Sequence, residues 1–519
     1  MMIFMGPNTV TARALIAMLA PLLLAACGGG SCYVPHGGHG CSPPPPPPPT
    51  FSVRAYVAGL TGSGLALTSS YNNAFIPAIA IARDGAVTLA TNLRAGAGYS
   101  VSIANQPTNP AQACTVINPS GTVTYFDVSV LVYCPQAVGA WAFVATAGSI
   151  TTTPGVASVL GSLSTYAIDA SSGALTIVPG STVSTGPAVG TVQLIPHSTY
   201  VWALNIGNGS ATDDNTVSSI YVYTADANSG LLTANAGNPF FTLNGTSTTP
   251  AACDGIGGPG STVALTFAPS GDFGYDLSEP NPAGKNGGTY VFTLSAGVPQ
   301  WSGLAVSNDC DTPTTVDPSG QFAFYGMAMS GDVDTLIPNT VDSTTGGLTE
   351  LPGYGPPLVV ENGPGPAVVM DPAGRFVYSI RGITVDGYGI GPAGDVAAIA
   401  GMPLELSADA ISMLISPDGQ FAYVTTSDGL YTYSIDPTGA FHSVGAPVSA
   451  GQAVAAPGIT TATQIDPSGQ FLYVSASAGS GQQGIYAYTR DSGTGALTLV
   501  PGSPFAVTSQ TVPLQLALY

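Results

Sequence analysis

Basic residues are nearly missing from this chain: eight lysines and arginines stand against 28 aspartates and glutamates in 519 residues. Charged side chains of both signs make up only 7% of it, where an ordinary soluble protein has roughly a quarter. The net charge of −20 and the pI near 4.1 repel polyanions, so nucleic acid is not expected as a partner, nor anionic lipid headgroups for the folded mass. Long apolar runs are also missing beyond residue 26, none approaching the roughly eighteen residues that span a bilayer. The positive mean hydropathy of +0.33 therefore belongs to Gly-, Ala- and Val-rich exported β-structure. No CxxC or Cys/His spacing for zinc, no GxSxG elbow and no HExxH occurs, so neither a metal nor a cofactor is expected.

What is present begins with a leader. Residues 1–26 carry one positive charge, Arg13, ahead of an apolar stretch from Ala14 to Ala26 that is too short to span, and they read as a signal peptide. Its end, Leu24-Ala25-Ala26-Cys27, resembles the lipobox of bacterial lipoproteins, which implies cleavage before Cys27 and a diacylglycerol on its thiol. Gly28 in place of an aspartate implies, by the same resemblance, sorting to the outer membrane. The membrane is thus expected as a partner through lipid alone. Residues 27–50, with Cys32, His36, His39, Cys41 and the run Pro43–Pro49, cannot bury a core and read as an extended tether.

From 51 to 135, alternating segments such as SVRAYVAGL, AVTLAT, YSVSIA and TYFDVSVLVYC are separated by Gly, Asn and Pro clusters, the pattern of a small β-sandwich. The segment resembles short repeats of bacterial surface proteins and adhesins, which implies a stalk or adaptor. Cys114 and Cys134 are expected to pair, since an exported chain permits disulfides.

The remainder, 138–519, is a repeat array. An apolar strand, a Pro-centred turn and a second strand with an aromatic recur at LIPHSTYVW, FAPSGDFGY, VDPSGQFAF, MDPAGRFVY, ISPDGQFAY and IDPSGQFLY, roughly fifty residues apart, the length of one four-stranded blade. In these turns an Asp or Ser caps, Pro presets φ and Gly closes a type I turn, so Asp317, Asp371 and Asp466 are expected to form turns rather than do chemistry. Two strands are left over, WAFVATA from Trp141 and LQLALY ending at Tyr519, and together they would complete a seventh blade. The expected fold is all-β: a seven-bladed propeller closed by its terminal strands, after the small sandwich. The pattern resembles the lactonase family of propellers, which includes phosphogluconolactonases and muconate-lactone cyclases.

Enzymatic members of that family use His, Arg and carboxylates on one face of the ring. Here 138–519 supplies only Lys285, Arg375, Arg381 and Arg490 as bases, and Arg375 and Arg490 sit in hairpins where a structural role is expected. His197 takes a turn position and His442 an outer strand. Long connections at 146–162, 205–217 and 276–288, with interblade segments 240–262 and 302–314, are expected to gather at one end of the ring. They place Asp213, Asp214, Asp276, Glu279, Lys285, Asp309 and Asp311 there, with Arg381 on a shorter loop, as binding-face candidates. Cys253 and Cys310 are expected to form a disulfide bracing that face. The leading expectation is a monomeric, noncatalytic envelope scaffold binding protein or carbohydrate. The alternatives are a lactonase or cyclase with a divergent site and an envelope assembly factor.

Overall fold

The computed structural model describes residues 48–124, 127–134, 140–146, 161–185, 189–196, 198–205, 219–241, 262–278, 288–306, 314–329, 333–352, 357–358, 367–448, 452–453, 463–477, 483–507 and 513–519. Every regular element among them is a β-strand, and no helix long and apolar enough to cross a membrane occurs among the described residues. The leader, Cys27 and the tether up to residue 47 lie outside the described residues.

Two four-stranded sheets occupy 51–133. One runs in the order Gly85–Leu93, Phe51–Ala58, Val128–Tyr133, Thr115–Ile117, and the other in the order Ala74–Ala80, Ala66–Tyr71, Gly98–Asn105, Ser120–Thr122. Their facing sides share one core, in which Val53, Ala55 and Val57 alternate inward from one strand and Val130 and Val132 from its parallel neighbour. A disulfide joins Cys114 to Cys134 beside that core. Asp84 accepts the backbone N–H groups of Gly59 and Leu60, fixing the first turn.

Seven further sheets follow in chain order, drawing on 141–184, 189–241, 262–306, 315–358, 367–405, 410–443 and 452–506. In the last six the strands lie in sequence order, the first innermost, and the proline turns link the first strand to the second. The first sheet differs: its innermost strand is Pro513–Leu518, antiparallel to Trp141–Thr146. Trp141 N–H donates to Tyr519 O at 3.1 Å and Tyr519 N–H to Trp141 O at 2.8 Å, which joins the two ends of the array. Polar side chains of the innermost strands reach the neighbouring sheet, as Gln193 does to Leu265 O at 2.6 Å and Thr315 to Val368 O at 2.8 Å.

One contact repeats at all seven sheet interfaces. The aromatic that opens each second strand lies on a glycine in the outer hairpin turn of the next sheet: Trp141 on Gly230, Tyr200 on Gly297, Phe273 on Gly346, Phe322 on Gly394, Phe376 on Gly439, Phe421 on Gly495 and Phe471 on Gly173. These glycines all have positive φ, between 70° and 91°, and a Cβ on any of them would fall 2.3–2.7 Å from the ring. Two residues on, a second aromatic donates to a glycine carbonyl of the same turns: Trp202 to Gly297, Tyr275 to Gly346, Tyr378 to Gly439, Tyr423 to Gly495 and Tyr473 to Gly173, at 2.7–3.0 Å. The last of these carries the ring from the seventh sheet to the first.

The expected four strands per unit are present with one refinement. In five of the seven sheets the outermost strand is split, its two pieces pairing separately with the third strand. Across the break a side chain completes the ladder: Ser181, Asn238 and Ser503 accept the N–H groups of Thr165, Val222 and Ala487. A polar side chain there satisfies a buried backbone donor that a regular strand would have paired.

The 51–133 sheets do not stand clear of the ring. Leu131, on the side of its strand opposite Val130 and Val132, is 1% exposed although it does not belong to their core. It meets the sixth-sheet turn at Gly419, Tyr56 meets Gly374 of the fifth, Gly85 meets Ser319 of the fourth, and the Tyr133 hydroxyl donates to Ser468 O of the seventh at 3.2 Å. The middle of the sheet nearest the ring is therefore covered on both faces, whereas Thr88 and Thr91 of its edge strand stay exposed.

Candidate functional site

Because the second strand in six of the sheets starts at a proline turn and ends at the connection to the third, the ring has a turn end and a loop end. At the turn end lie four buried acids, Asp317, Asp371, Asp418 and Asp466. Asp317 and Asp466 accept from the hydroxyl and N–H of Ser319 and Ser468, and from the N–H of Phe322 and Phe471 at 2.7 Å. They cap their turns. Arg375 holds Asp371 in a two-pronged pair at 3.0 and 2.9 Å and also donates to Gly419 O of the next sheet. Arg490 donates to Asp418 of the preceding sheet, to the Tyr423 hydroxyl and to Gly469 O. Burial is the largest influence and would lower both arginine pKa values, but the carboxylate beside each and the neighbouring tyrosines together outweigh it and the net shift is upward. Both guanidiniums thus bind turns together. Burial also pushes the Tyr423 phenol up to about 12, against the pull of Arg490, so it stays a hydrogen-bond donor.

Most of the sequence-derived face lies outside the described residues: Asp213, Asp214, Glu279, Lys285, Asp309, Asp311 and the expected Cys253–Cys310 pair; so does His197, expected in a turn. Two of its members are placed, and both require correction. Asp276 is not on a loop but inside the strand Phe273–Ser278, in register with Leu265 on one side and Tyr290 on the other, and it is fully buried. The strand simply runs further than the polar residue suggested, because backbone pairing continues to Ser278. Burial, with the Asp276 charge second, raises the Tyr290 phenol pKa. Arg381 likewise closes the strand Phe376–Arg381 rather than occupying a loop; it pairs with Thr384 across a two-residue turn at Gly382 and Ile383. His442 lies on the outer strand Phe441–Ser443 and is bonded to Asp436 of its own hairpin at 2.9 Å.

Sequence reasoning missed a polar group at the described part of the loop end. Asp428, in the turn after the sixth sheet's second strand, accepts from Thr426 at 2.5 Å, and its other oxygen lies 3.0 Å from the hydroxyls of both Ser407 and Tyr431, which are 2.6 Å apart, so the two hydroxyl protons serve two of these three contacts. The Thr426 bond leads in lowering the Asp428 pKa, so this exposed carboxylate is held ionised. The only signal for it was a polar SDG turn beside a tyrosine-rich strand.

No family model matches the sequence, and no curated protein is similar to it. Solved structures do match. A candidate 6-phosphogluconolactonase from Bacteroides uniformis superposes with a TM-score of 0.52 at 15% identity over 74% of this chain and 100% of its own. Another from Bacteroides fragilis gives 0.50 at 15% over 74% and 99%, and a protein from Lactobacillus plantarum 0.51 at 15% over 73% and 99%. The ring has a lactonase-like β-propeller fold. At such identity the likeness carries the fold and no chemistry. Among the described residues of the propeller no three His, Cys, Asp or Glu side chains converge to hold a metal. What Asp428, Ser407 and Tyr431 can offer a hydroxylated ligand is an ionised acceptor flanked by two hydroxyl oxygens.

Proposed function

We propose that this chain is a lipid-anchored cell-envelope protein, held at the outer membrane through Cys27 and a tether to residue 50, whose small N-terminal sandwich precedes a seven-bladed propeller acting as a noncatalytic binding scaffold. Its ligand, protein or carbohydrate, is met by the loop end, which carries Asp213, Asp214, Glu279, Lys285, Asp309 and Asp311, and which a Cys253–Cys310 disulfide would brace. The observation that carries this reading is where the bases go. Of the four in the propeller, Arg375 and Arg490 are engaged in joining turns at the opposite end. A proton-transfer or anion-gripping site needs such groups at the ligand. The exposed Asp428–Ser407–Tyr431 group supports a hydroxylated ligand. The test is glycan and peptide binding by the mature chain alongside an aldonolactone hydrolysis assay: saturable binding without turnover is expected, and specific, saturable turnover overturns the reading.

A second reading, a lactonase with a divergent site, is favoured by the two Bacteroides neighbours described as candidate 6-phosphogluconolactonases. It requires turnover that falls when Arg381 or Glu279 is replaced.

A further inference from the structure

The net charge of the chain conceals its distribution. Between residues 51 and 134 three arginines (Arg54, Arg83, Arg94) stand against two acids (Asp84, Asp127), a net of +1, whereas 138–519 carries 26 of the 28 acids and four bases, a net of −22. From Ala55 to Ala82 no charged residue occurs at all. Repulsion from anionic headgroups, expected of the whole chain, is therefore a property of the propeller and not of the sheets that precede it.

Those sheets expose one large apolar side chain. Phe75 is 71% exposed, the most of the three exposed large hydrophobics among the described residues. It follows a hairpin tip, Asn72-Asn73, whose φ values of 47° and 68° suit asparagine, and it lies in the edge strand Ala74–Ala80 of the sheet away from the propeller. The register places it at a particular end. Phe51, the first residue of the first described strand, pairs with Leu93; the exposed Arg94 follows in the connection to Gly98; and Gly98 exchanges bonds with Asn72, its N–H donating to Asn72 Oδ1 at 2.9 Å and Asn72 N–H to Gly98 O at 3.0 Å. Chain entry, an exposed arginine and an exposed phenylalanine thus share one end, where the acid Asp127 is engaged by the Ser52 N–H at 2.7 Å.

We infer that this end, with Phe75 as the inserting side chain and Arg94 as the headgroup contact, is a membrane-docking surface whose partner is the bilayer interface. An aromatic beside a cation is the side-chain pair that settles at the headgroup level. A partner protein adding a strand is disfavoured by the edge itself: Pro77 removes a donor in mid-strand and a bulge lies between the Leu67–Ile79 and Ser69–Ile76 pairs. The inference rests on the lipid-anchor reading, in which the tether that ends at this point of the fold is held at the bilayer.

The test uses the lipidated mature chain in phosphatidylcholine vesicles containing phosphatidylglycerol and a shallow nitroxide-labelled lipid. A Phe75→Trp variant is compared with Leu231→Trp, a site 41% exposed in an outer turn of the propeller, each after subtraction of the parent's emission. Strong quenching at position 75 and little at 231 is expected; equal quenching at the two overturns the inference. In the unlipidated Cys27→Ser chain, Arg94→Ala should weaken partition onto these vesicles about fivefold, the contribution of one cation near an anionic surface, and unchanged partition overturns the headgroup role. The anchor reading is decided separately, by whether Cys27→Ser releases the protein from the cell's membrane fraction.

Discussion

Gly173 gives the sharpest test of how the ring is held. It lies in the first sheet's outer turn with φ +73°, and a Cβ there would sit 2.3 Å from Phe471 Cδ1 of the seventh sheet, whose ring is 2% exposed and cannot swing aside. Gly173→Ala therefore incurs two costs: about 1–2 kcal/mol for an L-residue in the left-handed region, and about 1–3 kcal/mol for forcing a methyl into a filled interior. Gly180 is a control in the same hairpin, with φ +77° and nothing within 4 Å of its Cβ. Gly180→Ala carries the first cost alone. Urea unfolding followed by intrinsic fluorescence should thus show Gly173→Ala less stable than Gly180→Ala by about 1–3 kcal/mol. If the two variants unfold together, the glycine–aromatic contact is incidental and the account of ring closure fails.

Other consequences can be measured alongside. Leu131→Asp puts a charge where the N-terminal sheets meet the turns, and should split unfolding into two transitions; a single unshifted transition argues against that contact. Arg490→Met leaves Asp418 buried without its cation and should cost about 3–5 kcal/mol, whereas replacing Arg490 and Asp418 together by apolar residues should cost much less, as a double-mutant cycle would show. Asp169 and Asp436 have pKa values lowered from 3.8 to about 2; for Asp436 burial pushes upward, but bonds from Thr438, His442 and backbone N–H groups outweigh it. Since the folded state prefers their ionised forms, their stabilisation is complete above the unfolded pKa and disappears as pH falls through about 2. The urea midpoint should decline across that window, and less steeply in Asp436→Asn. Replacing Cys114 and Cys134 by alanine removes a link spanning 20 residues, worth about 3 kcal/mol in the chain-entropy estimate; faster hydrogen exchange confined to strands 51–133 is the expected readout.

The repeat was legible because turn chemistry is local: Asp-Pro-Ser-Gly announces itself within four residues, and the Trp141 and Tyr519 strands could be matched as halves of one unit. The contacts between sheets were not, since Gly173 and Phe471 are partners only once a ring closes, even though glycines recur in ASSGAL, ANSGLL and DSGTGAL. Docking of the N-terminal sheets left a faint mark: VSVLVY lacks clean alternation, as a strand covered on both faces does. Asp276 and Arg381 misled because a polar residue near a strand end looks like a loop, whereas ladder pairing decides where the strand stops.

The bond between Trp141 and Tyr519 also governs when the molecule can be finished. The innermost strand of the first sheet comes from far along the chain from its neighbour Trp141–Thr146, so that sheet has an open inner edge until residues 513–518 arrive. A polypeptide interrupted between Thr146 and that strand consequently presents a sticky, unpaired rim, which makes such products ready substrates for chaperones and proteases.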